Sequence, residues 1–145
     1  MIDVKTPLRT AYFSLLNNAL TVNSNPVPVS DSIEKVAKNA PVYVVFTAQD
    51  SQSSNTNNSW QSVETMTISI INKGNRVSKE TCDSVWNQIS LLLFPGPDKP
   101  NGLPVQPGIT ITNARVTHDA YQVFQQEGSN NVTRRLVTIT HLVTQ

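Results

Sequence analysis

The sequence predicts an α+β fold in one domain, residues 1–145: a mixed, mainly antiparallel sheet of about four to five strands with two amphipathic helices packed on one face. Three observations predict it. Apolar residues recur at three- and four-residue spacing in two stretches, Leu8 to Leu20 and Ser78 to Leu93, which is the helical period. Several other stretches alternate with a period of two between clusters of Gly, Pro and Asn, as strands do. A chain of 145 residues fits a single core at roughly 100–200 residues per domain, and no internal repeat or linker divides it.

Thr6 followed by Pro7 reads as a helix cap with proline at the first helical position, where its missing N–H costs nothing. From there to about Leu20, the residues Leu8, Ala11, Tyr12, Leu15 and Ala19 form an apolar stripe that Phe13, Leu16 and Leu20 widen. Asn23-Ser24-Asn25-Pro26 breaks the helix. Pro26-Val27-Pro28-Val29 is extended, because a residue before proline is pushed out of the α region, and makes at best a short edge strand. Residues 31–39 fit one helical turn or a loop. Val42 to Gln49 is a strand with Val42, Val44, Phe46 and Ala48 on one face and Tyr43, Val45 and Thr47 on the other. Asp50 to Ser59 holds no apolar side chain and reads as a long mobile connection.

Trp60 to Asn72 returns as a strand with Met66, Ile68 and Ile70 facing one way and Thr65, Thr67 and Ser69 the other. Asn72-Lys73-Gly74-Asn75 supplies a turn. Ser78, with Glu80 behind it, opens a second helix in which Cys82, Val85, Trp86, Ile89, Leu92 and Leu93 form one stripe. Phe94-Pro95-Gly96-Pro97 stops it, and five prolines and three glycines between Pro95 and Gly108 make a stiff connector without helix. Gly108 to Phe124 is a strand with a bend or bulge expected at Asp119-Ala120. Gln126 to Asn130 is a hairpin turn, and Asn131 to Thr144 closes the sheet with Val137, Ile139 and Val143 as its inward row.

Composition narrows function. Charged residues are 14% of the chain against roughly 25% in average domains. Instead, 15 Asn, 9 Gln, 14 Ser and 15 Thr supply 53 of the 145 residues, so the surface relies on hydrogen bonds more than on charge. A net charge of +1 gives no field to hold a polyanion by counterion release, which disfavours a dedicated nucleic-acid binder while leaving transient passage of DNA open. The single cysteine, Cys82, rules out an internal disulfide and a cysteine-based zinc site. The longest apolar run, Leu91 to Phe94, is far below the ~18–20 residues that cross a bilayer, and the first residues carry no signal pattern, so a soluble protein made in the cytoplasm is expected. The N-x-S/T matches at Asn57 and Asn131 are expected by chance in so Asn-rich a chain.

No constellation of catalytic residues stands out, and no enzyme is expected. Cys82 lies on the apolar stripe of the second helix, where burial raises a thiol's pKa and blocks access. His141 falls between Ile139 and Val143 as a core or interface histidine, and His118 lies beside Asp119 near the expected bend. The competing class is an enzyme, for example a small hydrolase or metal-dependent nuclease using Asp119 with His118 and another carboxylate. The ten carboxylates are scattered, and the five glycines punctuate turns, with no phosphate loop among them. Arg134 and Arg135, with Arg115 on the partner strand, form either a basic strip or a solvated face, since alternation sends neighbouring residues to opposite sides. The strands carry more two-faced apolar surface than a monomer needs, which favours association into a symmetric ring or dimer.

The chain thus runs from an amphipathic helix, Leu8 to Leu20, through an extended segment, Val27 to Val29, to the proline-preceded strand Ala40-Pro41-Val42-Tyr43-Val44-Val45-Phe46. A polar loop, the alternating strand Val63-Glu64-Thr65-Met66-Thr67-Ile68-Ser69-Ile70, the helix Ser78 to Leu93, and closing strands Ile109 to Phe124 and Arg134 to Val143 follow. This order, over nearly the whole chain, resembles the tail terminator (tail completion) proteins of long-tailed bacteriophages. The likeness lies in element order and local phrasing, with no single diagnostic motif. The Asp50–Ser59 loop and the Pro95–Pro107 connector depart from the family pattern in being long and poor in charge.

The resemblance implies a structural virion protein at the head–tail junction, assembled in the host cytoplasm. Its subunits would form a homo-oligomeric ring, a hexamer, that caps the head-proximal end of the tail tube, stops tube growth and gives the head-closure or connector protein a docking surface. DNA would pass transiently through the lumen, with no membrane and no cofactor involved. A head-closure or neck ring, or a tail-tube-related protein, is the alternative. Within that reading the subunit-interface candidates are Tyr43, Val45, Ile71 and His141, and the lumen or DNA-facing candidates are Arg115, Arg134 and Arg135. The docking-loop candidates are Asn55, Thr56, Asn57 and Asn58.

Overall fold

The computed structural model describes residues 3–31, 40–55, 59–74, 79–99, 101–125 and 131–145. Helix α1 (Lys5–Leu16) leads into three two-residue strands, β1 (Thr21–Val22), β2 (Asn25–Pro26) and β3 (Val29–Ser30). Then come β4 (Val42–Ser53), β5 (Gln61–Gly74), helix α2 (Lys79–Leu93), β6 (Thr110–Gln125) and β7 (Asn131–Thr144). β1 and β2 form their own two-stranded sheet, and the main sheet has the order β3-β4-β5-β7-β6. Among the described strand pairs only β3–β4 is parallel. Both helices feed one core. Leu8, Tyr12 and Leu16 of α1 and Val85, Ile89 and Leu93 of α2 pack with Val44, Phe46, Met66, Ile68, Ile70, Val137 and Ile139 of the sheet. At about 1.5–3 kcal/mol for each fully buried large aliphatic side chain, this single cluster supplies the main driving force. The expected α+β class with helices on one face is thereby met, with a greater share of strand than expected and the β1–β2 hairpin in addition.

α1 begins and ends differently from expectation. Its cap residue is Val4, without a side-chain hydrogen bond, and Thr6 is already inside the helix. The free Lys5 N–H is instead satisfied by Asp3 Oδ1 at 3.0 Å. Pro7 sits in the first turn, where no intrahelical N–H is needed. The helix stops at Leu16 because Asn17 turns extended and Asn18 adopts φ 60°, a conformation that asparagine tolerates. Ala19 is therefore exposed and Phe13 is 40% exposed, whereas Leu20 re-enters the core beyond the break. Asn23 (φ 50°) and Ser24 (φ 66°) make the tight β1–β2 turn, whose two central residues both need positive φ.

Strand lengths also differ. The β4–β5 hairpin continues to Ser53↔Ser62, so four of the ten residues of the expected Asp50–Ser59 connection are paired strand. Polar side chains do not prevent pairing when the neighbouring strand supplies the ladder. Between Phe46↔Ile68 and Ala48↔Thr67 one extra residue, Thr47, is inserted, and this bulge inverts the alternation beyond it. Val42, Val44 and Phe46 face the helices as expected, but Ala48 does not. Gln49 and Ser51 take the helix side instead, and Gln49 accepts from Arg9 Nη1 at 3.2 Å and donates to Lys5 O at 3.0 Å. In β6 the register shifts at Thr112/Arg115 and Val116/His118, not at Asp119-Ala120, which pair regularly with Val137 and Leu136. Val137, Ile139 and Val143 are fully buried, as their alternation predicts. The segment 32–39, the cap at Ser78 and the turn 126–130 lie outside the described residues.

Candidate interaction surface

The sheet has a helix face and an opposite face, here the open face, against which no described helix packs, although its Tyr43, Val45, Ser69, Ile71 and Val132 are buried. Register assigns each strand residue to one of them. On the open face, hydroxyls pair across strands: Thr47 Oγ1 with Ser69 Oγ at 3.0 Å, Thr67 Oγ1 with Thr138 Oγ1 at 3.0 Å, and Thr117 Oγ1 with Thr140 Oγ1 at 2.9 Å. Arg134 donates from Nε and Nη2 to Ser69 Oγ at 3.3 and 3.1 Å. Those two bonds occupy the lone pairs of Ser69, so its O–H donates to Thr47. The result is a polarised hydrogen-bond chain that runs from Arg134 through the buried Ser69 to Thr47.

The three arginine candidates separate. Arg115 is exposed on the open face, beside a concavity of about 470 Å³ lined with Val63, Thr140 and Leu142, where Asn113 at φ 53° forms part of the β6 bulge. Arg134 shares that face. Arg135 pairs with Ile70 and points to the helix face, away from Arg115 and Arg134. There its guanidinium forks onto Asp119, with Nε to Oδ1 at 3.0 Å and Nη2 to Oδ2 at 2.7 Å, while Nη1 reaches Asp83 Oδ1 at 2.8 Å. Trp86 and Tyr121 lie 5.7 and 5.2 Å from it, and the Tyr121 hydroxyl donates to Asp83. This cluster ties α2 to β6 and β7. Replacing Arg135→Lys keeps the charge but loses the fork and the stacking. With both carboxylates well exposed to screening solvent, it is expected to lower stability by about 1 kcal/mol. Thermal unfolding at low salt and again in about 1 M NaCl, where the deficit should shrink, checks this.

The interface candidates also move. Tyr43, Val45 and Ile71 do come together, with Val132, as a compact apolar patch on the open face. Each is already covered within the single chain, leaving 5, 2 and 6% of its surface exposed. His141 is not on an outer face at all. It lies on the helix face at 1% exposure, with Nδ1 bonded to Glu64 O at 3.0 Å and Nε2 to the Tyr12 hydroxyl. A carbonyl can only accept, so Nδ1 carries the proton and Nε2 accepts from Tyr12. Burial pushes the Tyr12 phenol up and the His141 imidazole down to about 4. Of the docking-loop candidates, Asn55 is exposed and accepts from the Gln61 N–H at 3.2 Å, whereas Thr56, Asn57 and Asn58 lie outside the described residues.

Glu64, singled out by no sequence argument, is fully buried beneath α1. One carboxyl oxygen accepts from Ser51 Oγ, and the other has no hydrogen-bond partner among the described residues. Its position two residues before Met66 in an alternating strand was the available signal. Cys82 is buried with its thiol pushed up to about 11, first by burial and then by Asp83. His118 and Asp119, the pair on which a hydrolase or nuclease would have depended, point to opposite faces. Among the described residues no group of three His, Cys, Asp or Glu side chains converges as a metal site, and none of the described helices is long and apolar enough to cross a membrane.

No protein-family model matches the chain, and no curated protein matches it. Among solved structures, the fold is similar to that of a chain in the virion of a native gene transfer agent (GTA) particle. The superposition covers 98% of this chain and 92% of that chain, with a TM-score of 0.61 at 17% sequence identity. At this identity the likeness is one of fold.

Proposed function

We propose that this chain is a structural virion protein, the subunit of a ring at the head-proximal end of a phage-like tail tube that ends tube growth and joins the tail to the head connector. The observation that carries the proposal is the fold shared, over almost the whole of both chains, with a component of a virion particle. The element order, which resembles tail terminators, supports the finer assignment. The open face supports it as well. Its strand residues carry Lys73, Arg115 and Arg134 against Asp50, a modest positive balance embedded in hydroxyls that lets a polyanion pass without being held. A ring subunit acts through many repeated contacts, so the proposal assigns it no catalytic residue and no cofactor.

Removing the coding sequence from the parent particle tests this. Electron microscopy should then show tails of unregulated length and heads left unjoined. In particles blocked in head formation, the protein should be found at one end of otherwise complete tails. Joined particles with tails of normal length would overturn the assignment. Recovery of the protein on tail-less heads, and not on headless tails, would move it to the head-closure ring.

A further inference from the structure

The three long ladders carry one cross-strand row from edge to edge of the open face: Asp50 pairs with Thr65, Thr65 with Thr140, and Thr140 with Arg115. The row ends in opposite charges on β4 and β6, both exposed. Of the carboxylates on described strands, Glu64 and Asp119 face the helices, so Asp50 is the one on this face. Among the described residues both edges lack a strand partner over part of their length, although the connector covers the start of β6, where Asn101 donates to Ile111 O at 3.0 Å. β3 pairs with β4 only at Val44 and Val45, leaving the run from Phe46 to Ser53 with an unpaired edge. β6 has β7 on one side and no described strand on the other. Val116, beside Arg115 in this edge, is 40% exposed.

Strand sense completes the match. β4 is antiparallel to β5, β5 to β7 and β7 to β6, so β4 and β6 run in opposite directions. Two copies placed side by side in the same orientation therefore present antiparallel edges to each other. Asp50 of one copy then stands level with Arg115 of the next. Such a contact is head-to-tail and leaves a free edge at each end, the type that closes into a ring when the rotation allows. The bulge at Thr47 precedes Asp50, and the register shifts at Thr112/Arg115 and Val116/His118 leave Arg115 and Val116 as a short regular row between them, which makes this ion pair the register mark of the contact.

We propose that copies of this chain associate edge to edge, β6 of one subunit against the lower half of β4 of the next, with Arg115 and Asp50 as the cross-subunit charge pair. The proposal rests on self-association, as does the ring function above, and names the surfaces that make it. Opposite charges directly across a strand pair attract, and like charges there repel.

The full chain is tested by light scattering over a concentration series, as the parent, Asp50→Arg, Arg115→Asp and the double charge swap. Each single reversal should raise the midpoint concentration of assembly about tenfold, and the double swap should return it to within about threefold of the parent. Both residues are exposed, so thermal melting should be unchanged. If a reversal melts early, Asp50→Asn and Arg115→Gln replace it, with weaker effects in the same direction. A parent that assembles while both single reversals assemble equally well overturns the edge pairing and leaves the ring reading standing. A strict dimer overturns it in favour of a two-fold contact. A parent that stays monomeric throughout overturns edge pairing and self-association together.

Discussion

Gly102→Ala should lower the stability of the chain by about 3 kcal/mol, near the upper end of what overpacking a dense site costs. A methyl group built at this position would lie 1.8 Å from the carbonyl oxygen of Leu92 and 3.0 Å from its carbon. Both are backbone atoms of the last turn of α2, so no rotamer change relieves the contact. The connector cannot simply swing away, because it is fixed on both sides. Gly102 N–H donates to Leu93 O at 2.7 Å, satisfying one of the carbonyls that the helix end leaves open. Asn101 on one side donates to Ile111 O at 3.0 Å and accepts from the Leu103 N–H at 3.0 Å, and Leu103 on the other side is buried in the main core. Relief would therefore have to come from lifting the whole connector off α2. For a chain of this length the expected loss corresponds to a fall of roughly 10 °C in melting temperature. Gly96→Ala is the control. Nothing lies within 4 Å of its added methyl, and its effect should stay within about 0.5 kcal/mol. A Gly102→Ala protein melting within 2 °C of the parent would mean that the connector does not lie against Leu92.

That contact was hidden in the sequence, where Gly102 is one glycine among five prolines and looks like punctuation. What could be read was whatever depends on an unbroken period. Cys82, Val85, Ile89 and Leu93 keep their spacing through one regular helix, and all four are fully buried. Met66, Ile68 and Ile70 keep theirs because β5 itself carries no extra residue. Reading fails where one residue is added, since a period of two has no memory across an insertion. Thr47 and Thr117 have no compositional mark that separates a bulged threonine from a paired one. Asn113 alone, with its left-handed backbone, belongs to a residue type that hints at irregularity.

The candidate surface follows the same division. That Arg134 and Arg135 fall on opposite faces was a consequence of alternation, but which of them faces the helices depends on the β5–β7 register. The Asp50–Arg115 row depends on three registers at once, across a separation of 65 residues, and no local pattern encodes it. His141 could be placed in the inward row. Its partners could not, because Tyr12 meets it only through the packing of α1 over the sheet and Glu64 only through the β5–β7 register.

That packing makes the fold sensitive to acid through His141. Its imidazole is held down to about 4, from an ordinary 6.5, chiefly because burial disfavours the charged form; the bond to Glu64 O opposes this less strongly. The proton arrangement agrees, since Nε2 accepts from Tyr12 and has no room for a second proton without turning the phenol around. Above about 6.5 the histidine is neutral in both folded and unfolded chains, and the full stability is present. Between 6.5 and about 4 the unfolded chain binds a proton that the folded chain refuses, so stability falls as pH falls. At about 1.4 kcal/mol for each pH unit in that window, the loss approaches about 3 kcal/mol, and below about 4 this contribution levels off as the folded form also protonates. Carboxylates titrate in the lower part of the same range, so the parent's slope alone does not isolate the histidine. The comparison with His141→Gln does, because the variant keeps a polar group at the site and removes only the titration. Urea unfolding midpoints measured from pH 7 to pH 4 should fall more steeply for the parent, with most of the divergence between pH 6.5 and 5, above the main carboxylate range. Parallel curves for the two proteins would mean that His141 is protonated or solvated in the fold, and the Tyr12–His141–Glu64 arrangement would have to be abandoned.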